Sequence, residues 1–325
     1  MSNLQNTLNV RSKSIPLNLD KEKIGLIVSL MALSILLSIL SPHFLETYNL
    51  GNIGRQTSIN LIIAIGMTYV IISGGIDLSV GSMLAVVSVV VASLMKNHGL
   101  DIFTSILVGV VIGSFLGLIN GLIISNIKIP PFIATLGMMT IARGIAFVYT
   151  DAYPISGFSS KFTFLGQGSI FGIPVPIIIT IIAVAIGIFV LNNTIIGNHI
   201  FGLGNNEESA RLAGINIKKT QLFIYTFCGF MTAISAVIVT SRLDSGQPNI
   251  GVSYELDAIA AVVLGGTSLS GGKGSIFGTV LGALIIGVLN NGMNLLSVSP
   301  YFQLIVKGLV ILLAVGLNTI RERKN

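Results

Sequence analysis

The residues most able to take part in chemistry lie in a polar interruption of apolar sequence, Ser73-Gly-Gly-Ile-Asp-Leu-Ser-Val-Gly-Ser82. Its paired glycines favour a break in a helix and let neighbouring backbones approach closely. The Asp77 carboxylate and the Ser79 hydroxyl follow that break. Asp77 can cap the N-terminus of the next helix, where the helix dipole favours an anion. Asp77 and Ser79 can equally line a polar path at a broken helix, and one arrangement can serve both roles.

Carboxamides form a second polar group within two glycine-rich apolar runs. Asn120 lies in the first run, and Asn290, Asn291 and Asn294 lie in the second. Amides that bond between membrane helices contribute about 0.6–2 kcal/mol each, which favours a role in helix packing. They also offer donors and acceptors to a hydroxyl-rich solute. The residues predicted to line a path for such a solute are Asp77, Ser79, Asn120, Asn290 and Asn294.

The glycine-rich run Gly265-Gly-Thr-Ser-Leu-Ser-Gly-Gly-Lys-Gly274 superficially resembles a phosphate-binding loop. The pattern G-x-x-x-x-G-K-[ST] fails twice, because Thr267 stands at the first glycine position and Gly274 follows the lysine. The three histidines are far apart, and no metal-ligand cluster or nucleophile–base pair is evident. We therefore predict no enzyme activity and no cofactor in this chain.

The composition indicates the medium that surrounds these residues. Of 325 residues, 52% are apolar and only 9% are charged, and the mean hydropathy is +0.90. A soluble domain has about 25% charged residues. The shortage of charge excludes an ordinary soluble domain, and the high hydrophobicity excludes a disordered chain. We predict an integral membrane protein.

Crossing a bilayer takes about 20 mostly apolar residues in a helix. We predict an all-α fold of about ten transmembrane helices, some of them glycine-rich and partly broken. The first apolar run follows a charged arm (1–23) and is too long for a signal peptide, so we expect it to remain as an anchor. The predicted spans are 24–41, 57–73, 79–95, 102–125, 133–150, 175–191, 222–240, 255–270, 275–296 and 302–320.

Two basic residues, Arg143 and Lys307, fall within predicted spans. A basic side chain that faces lipid at mid-span costs at least about 2.5–3.5 kcal/mol, so neither is expected to do so. We expect Lys307 to extend toward the membrane surface rather than to contact a solute.

Charge asymmetry predicts the orientation. Ten spans place the arm 1–23 and the tail 321–325 on one side, which then carries twelve of the 18 Lys and Arg residues. The opposite side carries four, namely Arg55, Lys96, Lys161 and Arg242. Because cytoplasmic loops are enriched in Lys and Arg, both termini are predicted to be cytoplasmic. The same asymmetry explains the pI near 9.5 without nucleic acid as a partner.

Two blocks of the chain resemble each other. The run 113–124 (GSFLGLINGLII) matches 274–285 (GSIFGTVLGALI), and each is followed by a proline–aromatic pair and a basic residue within a span. The blocks extend over about 57–150 and 222–320. A shift of five spans reverses their direction in the membrane, so we predict inverted repeats. Close packing of unrelated glycine-rich helices is the alternative explanation.

The longest predicted cytoplasmic loop, 192–221, contains the polar run 204–215 (GNNEESARLAGI). Asn205 and Asn206 are possible helix N-caps, and Gly214 is a possible helix stop. A short helix here would offer a lever to a cytosolic partner, and an ordinary structured loop is the alternative.

Four segments of the chain resemble one known family. They resemble the monosaccharide permeases of ATP-binding-cassette (ABC) importers, and the likeness extends over about residues 24–320. Within that family the ribose-transporting members are the most similar, so the resemblance implies ribose as the sugar, although no residue selects it. The segments are 73–81 (SGGIDLSVG), 131–136 (PFIATL), 204–215 (GNNEESARLAGI) and 254–274 (YELDAIAAVVLGGTSLSGGKG).

The resemblance implies a permease homodimer in the bacterial cytoplasmic (inner) membrane, surrounded by lipid. It also implies a cytosolic ATPase, which binds ATP and Mg, and an extracytoplasmic sugar-binding protein. The ATPase would dock on the 192–221 loop and switch the pore between outward and inward access. The docking residues implied are Asn205, Glu207, Arg211 and Gly214.

Other functions remain open to the sequence alone. A permease for another sugar, such as xylose, galactose or an autoinducer-2-like sugar, would share these motifs. An ion-coupled secondary transporter would need a buried carboxylate, for which Asp77, Glu255 and Asp257 are candidates. An integral-membrane enzyme would need a catalytic constellation that is not evident here.

Overall fold

The computed structural model describes residues 21–322. The predicted arm 1–23 and tail 321–325 lie outside the described residues, except for their membrane-proximal ends, which belong to the first and last helices. Within the described range the chain is all-α apart from four two-residue strands, as predicted. The 13 α-helices of that range are α1 Lys21–Leu40, α2 Thr47–Ile72, α3 Val80–Lys96, α4 Ile102–Leu122, α5 Pro131–Tyr149, α6 Ser160–Gln167, α7 Val175–Asn193, α8 Ile195–Asn205, α9 Glu207–Leu212, α10 Ile217–Leu243, α11 Tyr254–Leu264, α12 Ile276–Leu295 and α13 Pro300–Glu322.

Short irregular elements complete the chain. A π-helical turn, Ile123–Ile127, extends α4 and stops at Lys128, whose φ is +60°. The strands are β1 Ile155–Ser156, β2 Ser169–Ile170, β3 Ile173–Pro174 and β4 Ser245–Gly246. Strand β1 pairs antiparallel with β4, and β2 pairs antiparallel with β3 in a hairpin.

Seven described helices are long and apolar enough to cross a bilayer, and α3 and the apolar part of α13 are shorter. The predicted span 255–270 differs most from the structure, because α11 has only 11 residues. At 1.5 Å per residue it is about 16 Å long, about half of the hydrocarbon thickness. The helix stops there because Gly266 takes a φ of +87°. This protein is therefore an all-α, multi-pass membrane protein with one distinctly short helix among its predicted spans.

Helices α2 and α10 form the centre of the bundle. Every residue from Thr57 to Ile72 is buried, and α10 packs against α2, α3 and α4. Where α10 crosses α2, the Cys228 backbone lies against Gly66, and the buried Cys228 acts as a small apolar side chain. By contrast, α1 and α13 turn large apolar side chains outward, which is how a helix next to lipid behaves.

Helix contacts occur in pairs that match the two similar blocks of sequence. Helix α2 packs on α12, and α10 packs on α4. Helix α3 contacts α4, α5 and α10, whereas α11 contacts α12, α13 and α2. These four contacts of the first block therefore have counterparts made by the matching helices of the second block.

Connections gather at two ends of the bundle. At one end, Lys96 Nζ donates to Gly157 O over 2.8 Å, and Gln167 Nε2 donates to Arg242 O over 3.0 Å. Here Asp101 caps α4, and hydrogen bonds from the Thr104 hydroxyl and amide hold the pKa of Asp101 below its usual value. The residues predicted to lie opposite the termini, Arg55, Lys96, Lys161 and Arg242, belong to this end.

Helices α3 and α11 begin inside the bundle rather than at its ends. Ser79, just before α3, bonds to Asn120 within α4, and Asp257, in the first turn of α11, lies near Asn60 at the middle of α2. The two starts touch, because a Cβ atom on Gly81 would overlap the carbonyl oxygen of Gly251. Two helix N-termini therefore face each other deep in the protein.

The glycines that let helices cross closely are expected to be sensitive to one added methyl group. A Cβ on Gly117 of α4 would overlap the carbonyl oxygen of Tyr225 in α10. We expect Gly117→Ala to lower the free energy of unfolding by about 1–3 kcal/mol, the usual cost of overpacking. Labelling of Cys228, the chain's single cysteine, by a thiol-reactive dye during heating measures unfolding because this thiol is buried. Gly25→Ala in α1, where a Cβ meets no atom within 4 Å, is the control and should unfold like the unchanged chain.

Candidate functional site

Three of the predicted path residues form one cluster. The side chains of Asp77, Ser79 and Asn120 have no solvent exposure. Asp77 Oδ1 accepts hydrogen bonds from the Ser79 amide, over 2.9 Å, and from the Ser79 hydroxyl. Asn120 Nδ2 in turn donates to Ser79 Oγ over 2.9 Å. The carboxylate thus holds the turn before α3, whose N-cap residue is Ser79, and the Ser79 side chain makes no capping bond.

The other two predicted path residues lie elsewhere. Asn290 is buried beside Asp257, and Asn294, at the exposed end of α12, accepts a hydrogen bond from Gln303 Nε2 over 2.9 Å. Asn291 packs helices together, because it forms a reciprocal amide pair with Asn49 of α2 at 2.8 and 3.1 Å. Their described contacts therefore place the five predicted residues in three groups: the Asp77 cluster, Asn290 beside Asp257, and Asn294 at the end of α12.

Lys307 forms an ion pair that the sequence analysis missed. Its Nζ lies 2.9 Å from Asp257 Oδ2, with 21% exposure for the lysine side chain and 6% for the aspartate. The expectation that Lys307 extends toward the membrane surface is wrong, because α13 presents this residue to the first turn of α11. The available signal was that Lys307 and Arg143 follow the two similar blocks at matching positions, but only the fold brings Lys307 to Asp257.

Arg143 supports the same region from the other side. Its Nη1 donates to the carbonyl oxygens of Pro248 and Ile250 over 2.8 and 2.7 Å. These carbonyls belong to the segment that leads from α10 into α11, so the guanidinium replaces the hydrogen bonds that this non-helical backbone lacks. Arg143 and Lys307, the two basic residues within the spans predicted from the sequence, both hold the start of α11.

The run predicted to hold a short helix forms α9 at the end of the bundle opposite Lys96. Asn206 Oδ1 accepts from the Ser209 amide over 2.7 Å, which caps the helix. Gly214, at φ +84°, ends it, and Ile215 N donates back to Ala210 O over 3.0 Å. This short helix is confirmed. The sequence analysis missed α8, whose residues Ile195–Asn205 precede it.

The predicted docking residues are all exposed to solvent around α9. Asn205 ends α8, Gly214 follows α9, and an ion pair of 2.7 Å joins Arg211 Nη2 to Glu207 Oε1 on the helix surface. A cavity of about 570 Å³ lies between α9 and the turn after α2. Basic side chains on its lining are Lys128, Arg211 and Lys218.

Breaking the Lys307–Asp257 pair should destabilise the protein, because the carboxylate would remain buried without its partner. Loss of one partner of a buried pair costs about 3–5 kcal/mol, so we expect Lys307→Met to unfold at lower temperature in the Cys228 labelling assay. Adding Asp257→Asn should recover much of the loss. Lys96→Met, which removes a lysine bonded only to a carbonyl at the bundle end, is the control. Equal stability of Lys307→Met and the unchanged chain would contradict the inferred importance of the pair.

Known proteins similar to this chain are transport proteins. A ribose import permease protein of Haemophilus influenzae is 52% identical over 292 residues, which cover 89% of this chain and 90% of that protein. A ribose import permease protein of Bacillus subtilis is 49% identical over 313 residues, covering 96% and 97%. A D-allose transport system permease protein of Escherichia coli is 40% identical over 299 residues, covering 91% of each chain. No solved structure matches this chain.

The match to a protein family covers most of the transmembrane region. Residues 49–315 match the family described as the permease component of branched-chain amino acid transport systems. That range begins in α2 and ends within α13, so it includes α9 and also α3 and α11, the two helices that begin inside the bundle and that we call the broken helices. The chain therefore belongs to this permease family.

Proposed function

We propose that this chain is the transmembrane permease subunit of an ABC importer that carries ribose across the bacterial cytoplasmic membrane. The observation that carries the proposal is the near full-length identity of 52% and 49% to two ribose import permeases, against 40% to a D-allose permease. The chain itself is proposed to have no enzyme activity and to bind no cofactor. ATP and Mg are bound by a separate ATPase subunit.

The two similar blocks are proposed to be inverted repeats. The paired helix contacts support this, and so do the two helices that begin inside the bundle, since transporters often place broken helices of the two repeats around a central site. Asp77, Ser79 and Asn120 belong to the first start and Asn290 to the second. In this arrangement, a change in the tilt of either broken helix opens or closes the path at its centre.

The path is proposed to run between two copies of the chain. Arg143, Glu255 and Lys307 lie at mid-depth in helices α5, α11 and α13, yet each is only partly buried. Charged groups at this depth avoid lipid and face protein or water. A second copy placed against these helices would cover their exposed apolar side chains and enclose the partly buried charges in a water-filled path.

The ATPase is proposed to dock at α9 through Asn205, Glu207, Arg211 and Gly214. Their exposure and the stable capping of α9 support this assignment, because a docking element must keep its shape while it is pushed. The end that carries α9 is then cytoplasmic, as the excess of Lys and Arg predicts. The extracytoplasmic sugar-binding protein would meet the opposite end, near Lys96 and Lys161.

Reconstitution tests the proposed function. Proteoliposomes that contain this chain, its ATPase and its binding protein should accumulate labelled ribose only when ATP is supplied on the ATPase side. Excess unlabelled ribose should compete more strongly than xylose, arabinose or galactose. The chain without its ATPase, given a sodium or proton gradient, should accumulate nothing. Ribose accumulation by the chain alone would contradict the ABC assignment, and preferred competition by another sugar would contradict the substrate.

Charge reversal on α9 tests the docking assignment. Arg211→Glu should abolish capture of the ATPase and uptake of ribose, although the repulsion from Glu207 costs the helix only about 0.2–0.5 kcal/mol. The swap Glu207→Arg/Arg211→Glu restores the pair within the helix but presents reversed charges to the partner, so it should also fail. Lys161→Glu, on α6 at the opposite end, should keep the ATPase bound. Recovery of capture by the swap would mean that the pair only stabilises α9.

A further inference from the structure

Three segments meet at one point beside α9, and they meet through their backbones. The amide of Gly272 donates to the carbonyl oxygen of Ile72, the last residue of α2, over 2.8 Å. A Cβ atom on Gly204 of α8 would overlap that same carbonyl and would lie 2.6 Å from the Gly272 amide nitrogen. A Cβ on Gly271 would lie 2.7 Å from the carbonyl oxygen of Gly204 and 3.1 Å from the amide nitrogen of Gly74. We call this contact the glycine junction.

Each segment of the glycine junction is connected to a different helix, namely α3, α11 or α9. Beyond Ile72, the turn 73–79 enters the bundle and starts α3. The run 265–274 continues from the C-terminal end of α11. Gly204 is followed directly by Asn205, Asn206 and the docking helix α9. The junction therefore joins the docking element to both broken helices within a few residues.

This geometry also accounts for the glycine-rich run that resembled a phosphate loop. Two of its glycines pack closely against other segments, since a Cβ on Gly272 would overlap the Asn205 side chain and one on Gly274 would lie 2.8 Å from Ile72 Cγ1. Gly271 and Gly272 also have φ values of +87° and +74°, which side-chain-bearing residues rarely adopt. Small residues are required here because three backbones approach closely.

We infer that Gly204, Gly271 and Gly272 are positioning residues that transmit movement of the ATPase-docking helix to α3 and α11 together. The inference rests on the proposed function, which supplies the ATPase that moves α9. Backbone contacts with no intervening side chain leave little room for one segment to shift alone, because close-packed protein transmits displacement. A push on α9 then tilts the two broken helices as a unit and alternates access to the path between them.

Substitution of Gly204 tests the coupling directly. In Gly204→Ala the new methyl group overlaps the Ile72 carbonyl and separates α8 from the end of α2. The exposed surface of α9 is unchanged, so the ATPase should still bind and hydrolyse ATP in proteoliposomes. We expect the ribose transported per ATP hydrolysed to fall about tenfold, within the range that coupling mutations produce. A ratio equal to that of the unchanged complex would overturn the inference.

Gly166→Ala is the matched control, because the added methyl group causes a comparable steric clash at the opposite end of the bundle. Its Cβ would overlap the Arg242 amide nitrogen and lie 2.8 Å from the Ile238 carbonyl oxygen. It should lower stability in the Cys228 labelling assay while leaving the ratio of ribose to ATP unchanged. A fall in that ratio as large as that of Gly204→Ala would show that general destabilisation causes the effect, which would also overturn the inference.

Hydrogen exchange on the unchanged complex tests the same inference without a substitution. Binding of a non-hydrolysable ATP analogue to the ATPase should change the protection of 204–212, 73–79 and 265–274 over the same range of analogue concentration. A change confined to 204–212 would overturn the inference even if Gly204→Ala fails to fold. Failure of this inference can be distinguished from failure of the proposed function. The proposed function fails if the unchanged complex does not import ribose with ATP.

Discussion

The need to satisfy backbone groups and charges where water is absent governs this structure. Helices α3 and α11 begin inside the bundle, so the segments that lead into them carry peptide groups without helical partners at membrane depth. Asp77 supplies the acceptor for the turn before α3, and the Arg143 guanidinium binds two carbonyls of the segment before α11. Lys307 then neutralises the Asp257 carboxylate on the first turn of that helix. The few charged residues within the bundle therefore lie where the helices are broken.

Close helix packing is the second requirement of this arrangement. Without a hydrophobic force between helices in lipid, association depends on contact area and on hydrogen bonds between helices. Glycines at the crossing of α4 with α10 and of α11 with α12 bring backbones together, as at Gly117 and Gly282. The same property serves a different purpose at the glycine junction, where three segments with different destinations meet. Small residues thus allow close packing throughout the bundle, and at the glycine junction they form the route that we propose for movement.

Several features could be predicted from the sequence because they depend on local chemistry. The short helix α9 follows from its asparagine cap and its glycine stop, and both devices act within one turn of the chain. The long apolar runs predicted membrane helices because bilayer thickness sets one length for all of them. Span 255–270 was predicted too long because hydropathy does not register that Gly265 and Gly266 end α11. Helix α8 was missed because its polar residues and glycines resemble a loop.

The sequence by itself determined the medium, the helical class, the family resemblance and the helix break at 73–79. Each of these follows from composition or from the order of neighbouring residues, and neither depends on tertiary contacts. Only the tertiary structure decided which distant groups meet. Lys307 pairs with Asp257 across 50 residues, Arg143 reaches the segment before α11, and Asn290 lies beside Asp257. Such contacts depend on how the helices cross, and crossing geometry is a property of whole packed surfaces rather than of any one segment.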